Sequence, residues 1–366
     1  MANLVLYRKY RPKSFSEVIG QEHIIQTLTN ALSTGMVSHA YLFSGPRGSG
    51  KTTVARLLAK AVNCESKKDF EPCNKCQSCL EINQSRSLDL IEIDAASHRG
   101  IDEMRELREG IRFAPVKSKY KVYIIDESHQ ITKDAANALL KTLEEPPSHA
   151  IFILATTEIQ KMIPTIISRC QRFDFRRLKL PEIVKRLEII SKKENVKIDK
   201  KTLELIAINS GGSFRDAESL LDQVITFVGE KEEIKLEDIK DLLGIVDIVL
   251  VNKFVDSISK KEVSEAIGFL QENFDKGLDP QEFTKALVNY LRQILISKIN
   301  PDLSNPLISG LTEEESLKLQ QLAAAFQETD LRKILSLFLE AENKMKYSSI
   351  PQLPLELATI ESCEMK

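Results

Sequence analysis

A glycine-rich segment that ends in lysine and threonine has the composition of a phosphate-binding loop. It fits the pattern G-x-x-x-x-G-K-[ST], follows an apolar run at 41–43 and precedes a helix-forming stretch at 53–60, which is the strand, loop and helix order that this motif needs. Its glycines let backbone N–H groups turn toward phosphates, and a helix N-terminus adds partial positive charge. The alternative is a glycine-rich turn without a ligand. The predicted nucleotide contacts are Gly45, Pro46, Arg47, Gly48, Ser49, Gly50, Lys51 and Thr52.

Two carboxylates follow a second apolar run and supply what hydrolysis of a bound nucleotide would need. Residues 122–125 are all apolar and predict a strand buried on both faces, with Asp126 and Glu127 at the edge where α/β sheets place ligands. Lys51 would reach the terminal phosphates, and Thr52 and Asp126 would hold Mg²⁺. Glu127 would orient and deprotonate the attacking water. The alternative is a strand that simply ends in solvated acids.

Four cysteines form a second candidate site. Their tight spacings allow four thiolates to close a tetrahedral zinc site. The alternatives are a redox pair and an iron–sulfur cluster, although the cysteine–proline sequel of the latter is absent. A site filled by four cysteines leaves no position for a substrate, so we expect a structural metal. The predicted ligands are Cys64, Cys73, Cys76 and Cys79.

Length and composition limit the classes of protein to which the chain belongs. Its 366 residues are too many for one core, so we expect two or three domains. No apolar run is long enough for a signal peptide or a membrane span, which predicts a cytoplasmic protein without a membrane partner. The net charge of −2 excludes a surface that is basic throughout, so any contact with nucleic acid must come from a local patch.

The order of apolar patterns predicts the architecture. Strands alternate with helices up to residue 175, which favours a mainly parallel sheet of about five strands. The later sequence has helical periodicity and no catalytic constellation. The predicted fold is an α/β phosphate-loop domain at 1–178 with a zinc-binding insert at about 64–82, then all-α domains at 179–243 and 244–366. The predicted helices of the domain at 179–243 lie near 181–194, 200–209, 214–228 and 236–243.

The segment before the phosphate loop mixes aromatic, aliphatic and basic residues. Such a segment walls an adenine or simply packs against the core, and both interpretations remain open. Arg11 and Val18 are the candidates in this segment for contact with the nucleotide.

Several motifs together resemble the AAA+ clamp-loader ATPases, and the four-cysteine insert points more narrowly to the gamma/tau family of bacterial DNA polymerase III. The resemblance covers the whole chain. One departure is Ser128, where the family often has valine, and we expect it to affect packing more than chemistry. The motifs are YRKYRP at 7–12, the loop at 45–52, the cysteine insert, DESH at 126–129, LLKTLEEPP at 139–147, ATT at 155–157 and SRC at 168–170.

The resemblance implies roles for three further residues. Thr157 matches the sensor-1 position, which reads the γ-phosphate or the attacking water. Arg169 matches the arginine finger, which enters a neighbouring subunit's site and supplies roughly 10³–10⁵ in rate, so a lone protomer is expected to be a poor ATPase. Arg215 matches the sensor-2 arginine, which touches the phosphates in cis. By spacing alone, Arg169 could form a surface ion pair, and Arg215 could pair with Asp216 or Glu218.

The implied function is an ATPase motor subunit of the DNA polymerase III clamp loader, which opens the sliding clamp and loads it on primed DNA. The implied cofactors are ATP, Mg²⁺ and Zn²⁺. The implied partners are copies of the same subunit, delta and delta-prime subunits, the clamp, and DNA contacted through its backbone. In this family the domain at 179–243 is a lid and the one at 244–366 is the collar of the ring. The candidate DNA contacts by family position are Arg105, Lys141, Lys161 and Thr165.

Two alternative functions stay open, and so does the relation of this sequence to the longer form of the family. An AAA+ DNA-remodelling helicase would need a DNA-reading domain near its C-terminus, and a non-hydrolysing scaffold subunit would have a damaged phosphate loop. The family's longer form continues into a basic, proline-rich tail. The present sequence ends at residue 366, which is expected of a short form or of a shortened chain.

Overall fold

The computed structural model describes residues 4–97, 109–229, 233, 234, 239, 246–300 and 313–365. The chain divides into two compact units, Met1–Ile234 and Lys235–Lys366. The predicted helix near 236–243 lies almost entirely outside the described residues, and the predicted boundaries at 178 and 243 stay predictions.

The first unit is built on a five-stranded sheet whose paired strands all run parallel. Its strands are β1 (Ala40–Ser44), β2 (Leu90–Asp94), β3 (Lys121–Asp126), β4 (Ala150–Thr156) and β5 (Gln171–Asp174). They lie in the order β2-β3-β4-β1-β5. Because parallel strands all end at one edge, the segments that follow β1, β3 and β4 meet there. This arrangement confirms the predicted α/β class.

Helices cover both faces of this sheet. Tyr41 and Phe43 belong to one buried cluster, whereas Ala40 and Leu42 belong to another, because successive side chains of a strand point to opposite faces. Burial on both sides explains why the strands are uninterrupted apolar runs. The described helices of the unit are α1 (Leu6–Lys9), α2 (Glu22–Thr34), α3 (Lys51–Asn63), α4 (Gln77–Asn83), α5 (Lys133–Glu144), α6 (Pro164–Ile167), α7 (Leu180–Lys193), α8 (Lys200–Asn209) and α9 (Phe214–Val228).

The last part of this unit is a small helical group made of α7, α8 and α9. A pair of two-residue strands, β6 (Lys197–Ile198) and β7 (Glu233–Ile234), accompanies it. Ser213 caps α9, since its side chain accepts a hydrogen bond from the backbone N–H of Asp216 at 3.2 Å. This cap begins α9 directly beside the phosphate loop.

The second unit consists of helices packed around an aromatic centre. The ring of Phe254 lies 5.3 Å from that of Phe283 and 6.2 Å from that of Phe338, measured between centroids. None of the described helices in either unit is long and apolar enough to cross a bilayer. The described helices are α10 (Ile248–Ser259), α11 (Val263–Asp275), α12 (Pro280–Ile299), α13 (Glu313–Ala325), α14 (Glu328–Met345) and α15 (Leu353–Glu364).

Candidate nucleotide and metal sites

Two glycines of the phosphate loop are required by close contacts. Gly45 has φ +144° and Gly48 has φ +72°, a region that side chains rarely adopt. A Cβ at Gly45 would lie 2.3 Å from the carbonyl oxygen of Phe175, and one at Gly48 would lie 1.9 Å from Oγ of Ser213. The loop therefore passes directly against the end of the sheet and the start of α9.

Lys51 is the buried cation of this loop. Its Nζ donates to the carbonyl oxygens of Gly45 at 2.7 Å and Pro46 at 2.9 Å. Burial lowers the pKa of its ammonium, and the carboxylates of Glu127 and Asp126 partly offset that shift. The loop thus holds the ammonium at the N-terminus of α3, where a phosphate would be attracted by both charge and backbone N–H groups.

The predicted magnesium ligands lie in contact. Oγ1 of Thr52 donates to Oδ2 of Asp126 at 2.8 Å. Thr52 is in the first turn of α3 and Asp126 is the last residue of β3, so the sheet order brings together residues that are 74 positions apart. A hydroxyl and a carboxylate are oxygen ligands of the kind that Mg²⁺ prefers.

The predicted water-activating carboxylate is held by the predicted sensor. Oγ1 of Thr157 donates to Oε2 of Glu127 at 2.8 Å, and Nδ1 of His129 lies 3.5 Å from the same oxygen. Glu127 has φ +46°, a left-handed conformation that is rare for a residue with a side chain. Such conformations cost about 1–3 kcal/mol and cluster at functional sites. The contact places both predicted residues at one end of the sheet.

A cleft of about 570 Å³ is lined by Lys51, Thr52, Asp126 and Glu127 together with residues from the segment 7–19. Arg11 and Val18 both line it, whereas Phe15 is buried in the core, so the segment both packs and faces the cleft. Arg215 also lines the cleft, and its guanidinium lies 5.0 Å from the ring centroid of Tyr7. The loop residues that line it are Arg47, Gly48, Ser49, Gly50, Lys51 and Thr52.

Arg169 lies away from this cleft and is not among the residues that line it. Its guanidinium forms an ion pair with Glu144 and donates to the carbonyl oxygen of Thr165 at 2.7 Å. Within the single chain, Arg169 therefore occupies the surface ion pair that spacing alone allowed. A role at a nucleotide requires another subunit's site.

The candidate DNA contacts are solvent-facing where they are described. Lys141 and Thr165 are exposed, as is Lys161, whose Nζ lies 2.7 Å from Oε2 of Glu158. Arg105 lies outside the described residues. The three described positions are not among the residues that line the cleft.

The four cysteine sulfur atoms all lie within 4.8 Å of one another, and those of Cys64 and Cys76 are 4.0 Å apart. A zinc ion with bonds of about 2.3 Å separates its sulfur ligands by about 3.8 Å, so the cluster is compatible with zinc. The backbone N–H groups of Lys75 and Cys76 point at the sulfur of Cys73 and lower its pKa to about 6. Burial raises the pKa of Cys79. A metal would favour the thiolate form of every ligand.

Two residues in or beside the cleft were not predicted from the sequence to be functional. Asp94 ends β2 and pairs in register with Asp126, so its strand pattern was a usable signal. No signal in the sequence pointed to Gln21. Its buried side chain donates to the carbonyl oxygens of Ser49 at 3.4 Å and Arg176 at 2.9 Å. It connects the phosphate loop to residues after β5, a contact that no local pattern reveals.

Family models match successive parts of the chain. One described as "DNA polymerase III, delta subunit" matches residues 20–179. One described as "DNA polymerase III clamp loader subunit, ATPase lid domain" matches 182–230. One described as "DNA polymerase III subunits gamma and tau domain III" matches 234–366.

Curated relatives match along nearly the whole chain. DNA polymerase III subunit tau of Bacillus subtilis is 44% identical over 364 residues, which cover 100% of this chain and 64% of that protein. Subunit gamma of Buchnera aphidicola is 36% identical and covered at 97% in both directions. Subunit tau of Escherichia coli is 35% identical, with 99% of this chain and 55% of that protein covered. The chain thus spans less than two thirds of the tau relatives.

Proposed function

This chain belongs to the gamma/tau family of DNA polymerase III subunits, and we propose from that premise that it is an ATPase motor subunit of the bacterial clamp loader. The observation that carries the proposal is the pair of contacts beside the phosphate loop, Thr52 with Asp126 and Thr157 with Glu127. A non-hydrolysing scaffold subunit would have no need of them, and no observation favours a helicase.

ATP would bind with its phosphates against the loop at 45–52 and its adenine near Arg11 and Val18, which line the same cleft. The ammonium of Lys51 would exchange the loop carbonyls for phosphate oxygens. Thr52 and Asp126 would hold Mg²⁺, which neutralises developing charge on the phosphates when bound. These contacts position the substrate before any bond changes.

Glu127 would accept the proton of the water that attacks the γ-phosphorus, while the bond from that phosphorus to the β–γ bridging oxygen breaks and ADP leaves. Its Oε2 is held by Thr157 at 2.8 Å, so the two residues would position the carboxylate and the water together. Arg215, which also lines the cleft, would contact the phosphates and couple their presence to the lid helices α7 to α9. Hydrolysis would therefore change what holds the lid against the loop.

Arg169 would complete a neighbouring subunit's site. Its present partner, Glu144, is on the surface, and exposed ion pairs contribute only about 0–1 kcal/mol. Arg169 therefore loses little free energy when it leaves Glu144 to contact a transferring phosphoryl group. The second unit, with its helices α10 to α15, would supply the collar that holds copies of this chain with delta and delta-prime subunits.

ATP would act on the clamp by shifting the equilibrium between two arrangements of the ring. It shifts that equilibrium only if it binds the clamp-opening arrangement more tightly than the other one. Primed DNA would be contacted through backbone phosphates, because a loader must accept any sequence. Arg105, Lys141, Lys161 and Thr165 remain our candidates for that contact, and zinc is our candidate for the four-cysteine cluster.

The test is ATP hydrolysis by this chain alone and then with primed DNA, a sliding clamp and the companion subunits. The rate should be low alone and rise sharply with the full set. Arg169→Ala should lose most of that rise, by roughly 10³, while ATP affinity is kept. Arg172→Ala is the matched control, since Arg172 is also a surface arginine paired with a carboxylate, Asp174, at 2.8 Å. A rate that ignores the clamp would refute the proposal.

A further inference from the structure

Glu71 of the four-cysteine insert forms hydrogen bonds with the loop at residues 13–17. One carboxylate oxygen of Glu71 accepts from the backbone N–H of Phe15 at 2.9 Å, and the other accepts from that of Ser16 at 2.8 Å. The backbone of Glu71 is itself fixed by two hydrogen bonds with Lys68, at 2.9 and 3.1 Å. A single side chain of the insert thus holds a loop that is 55 residues away.

Lys60 makes a second connection to the same loop. It is buried in α3, the helix that begins at the phosphate loop. Its Nζ donates to the carbonyl oxygen of Lys13 at 2.8 Å, to Oδ1 of Asn74 at 2.6 Å and to Oδ1 of Asn83 at 3.0 Å. An ammonium has three protons, so every donor is used. Asn74 lies between two of the cysteines, and Lys60 therefore joins loop, insert and helix.

The loop held in this way carries one wall of the nucleotide cleft. Phe15 is anchored in the core, and Pro12 and Val18 line the cleft on either side of it. The backbone N–H of Lys13 donates to Oε2 of Glu17 at 2.6 Å, which closes residues 13–17 into a compact turn. Glu71 and Lys60 bond the backbone of this turn, so they determine where the wall lies.

We infer that Glu71 and Lys60 are positioning residues for the nucleotide's base, and that the four-cysteine insert thereby sets how tightly the base is held. Resting on the proposed function, this inference gives the insert a role in nucleotide recognition. Neither residue lies among those predicted to touch phosphate. Their effect should therefore depend on whether the ligand has a base.

The test compares binding of Mg·ATP with binding of Mg·tripolyphosphate, which has the phosphates but no base. Calorimetric titration would be done on the full chain for the wild type and Glu71→Gln, which removes one of the two acceptors. The affinity for ATP should fall roughly tenfold, because the wall loses a hydrogen bond to a charged group that stabilises it by about the free energy of that factor, while the affinity for tripolyphosphate stays within about twofold. Glu65→Gln, an exposed residue of the same insert, is the control and should change neither.

Equal weakening of both ligands would overturn the inference, because it would indicate general loosening of the fold. No change in either would overturn it too. Glu71→Asp keeps the charge and shortens the side chain, so it should show the same selective loss even if Glu71→Gln does not fold. A wild type that binds neither ligand would refute the proposed function itself, and this inference with it.

Discussion

The backbone N–H of Phe214 donates to the carbonyl oxygen of Gly48 at 3.2 Å. Gly48 is in the phosphate loop and Phe214 is the first residue of α9, so the loop and the lid helix share a hydrogen bond. The side chain of Ser213 fills the space where a Cβ at Gly48 would stand. A phosphate that rearranges the loop would therefore act directly on the helix that carries Arg215.

Gly48→Ala should disrupt this contact. The added Cβ would lie 1.9 Å from Oγ of Ser213, so the loop or α9 must shift. Overpacking of this kind typically costs about 1–3 kcal/mol, so we expect ATP affinity to fall about tenfold or more. Gly35→Ala is a matched control. Gly35 has nearly the same φ, +74°, but a Cβ added there would have no atom within 4 Å beyond its own chain neighbours. It should cost about 1–2 kcal/mol of stability and leave ATP affinity unchanged. Equal affinities of the two variants in a titration would contradict the prediction.

Glu127→Gln should separate binding from hydrolysis. The amide keeps the shape of the side chain but cannot accept the proton, so we expect the single-turnover rate in the assembled loader to fall about 10²–10⁴-fold. Thr157→Val should give a smaller loss, because it keeps the carboxylate that accepts the proton and removes the 2.8 Å hydrogen bond that orients it. ATP affinity, measured by titration, should be preserved in both. A full rate in Glu127→Gln would assign the proton to another group.

Asp89 should make the first unit sensitive to acid. Its burial alone would raise the pKa, but the backbone N–H groups of Val116, Lys117 and Ser118 bond the carboxylate at 2.7–2.9 Å and hold its pKa below the ordinary value. A lowered pKa stabilises the fold above the unfolded pKa of about 3.9, and this stability is lost as pH falls through the folded value.

Replacement of that carboxylate tests the pH argument. Asp89→Asn should lower the free energy of unfolding by about 1–3 kcal/mol at pH 7 and should lose less further stability between pH 5 and pH 3 than the wild type does. Denaturant titrations at several pH values would measure both. Asp69→Asn, at an exposed position, should behave as the wild type. Parallel pH curves for Asp89→Asn and the wild type would rule out this source of acid sensitivity.

The cysteine cluster should hold about one zinc ion per chain. Cys76→Ser should abolish tight binding, because it removes one of four ligands, whereas Cys170→Ser should not, because Cys170 lies outside the cluster. Elemental analysis of the purified variants measures the metal. Chelation of the wild type should also lower the melting temperature, since bound metal contributes directly to folding. Zinc retained by Cys76→Ser would show that the cluster is not the site.

The elements of the fold were predictable where their signals are local. The loop at 45–52 and the carboxylates after β3 can be recognised from spacing within a few residues, and buried parallel strands appear as apolar runs. Helix bounds were predicted closely for α8 and α9, at 200–209 and 214–228. Each of these signals arises within one element, so a single sequence contains it.

The contacts between elements could not be predicted from such local signals. The sequence by itself determined the class of fold, the phosphate loop, the acidic strand end and the four-cysteine cluster, because backbone geometry and metal ligation impose short, regular spacings. Only the tertiary structure decided that Thr157 holds Glu127, that Arg169 rests on Glu144 and that Glu71 bonds the turn at Phe15. These pairs are 25 to 56 residues apart, and their meeting depends on strand order and loop paths, which no local pattern encodes.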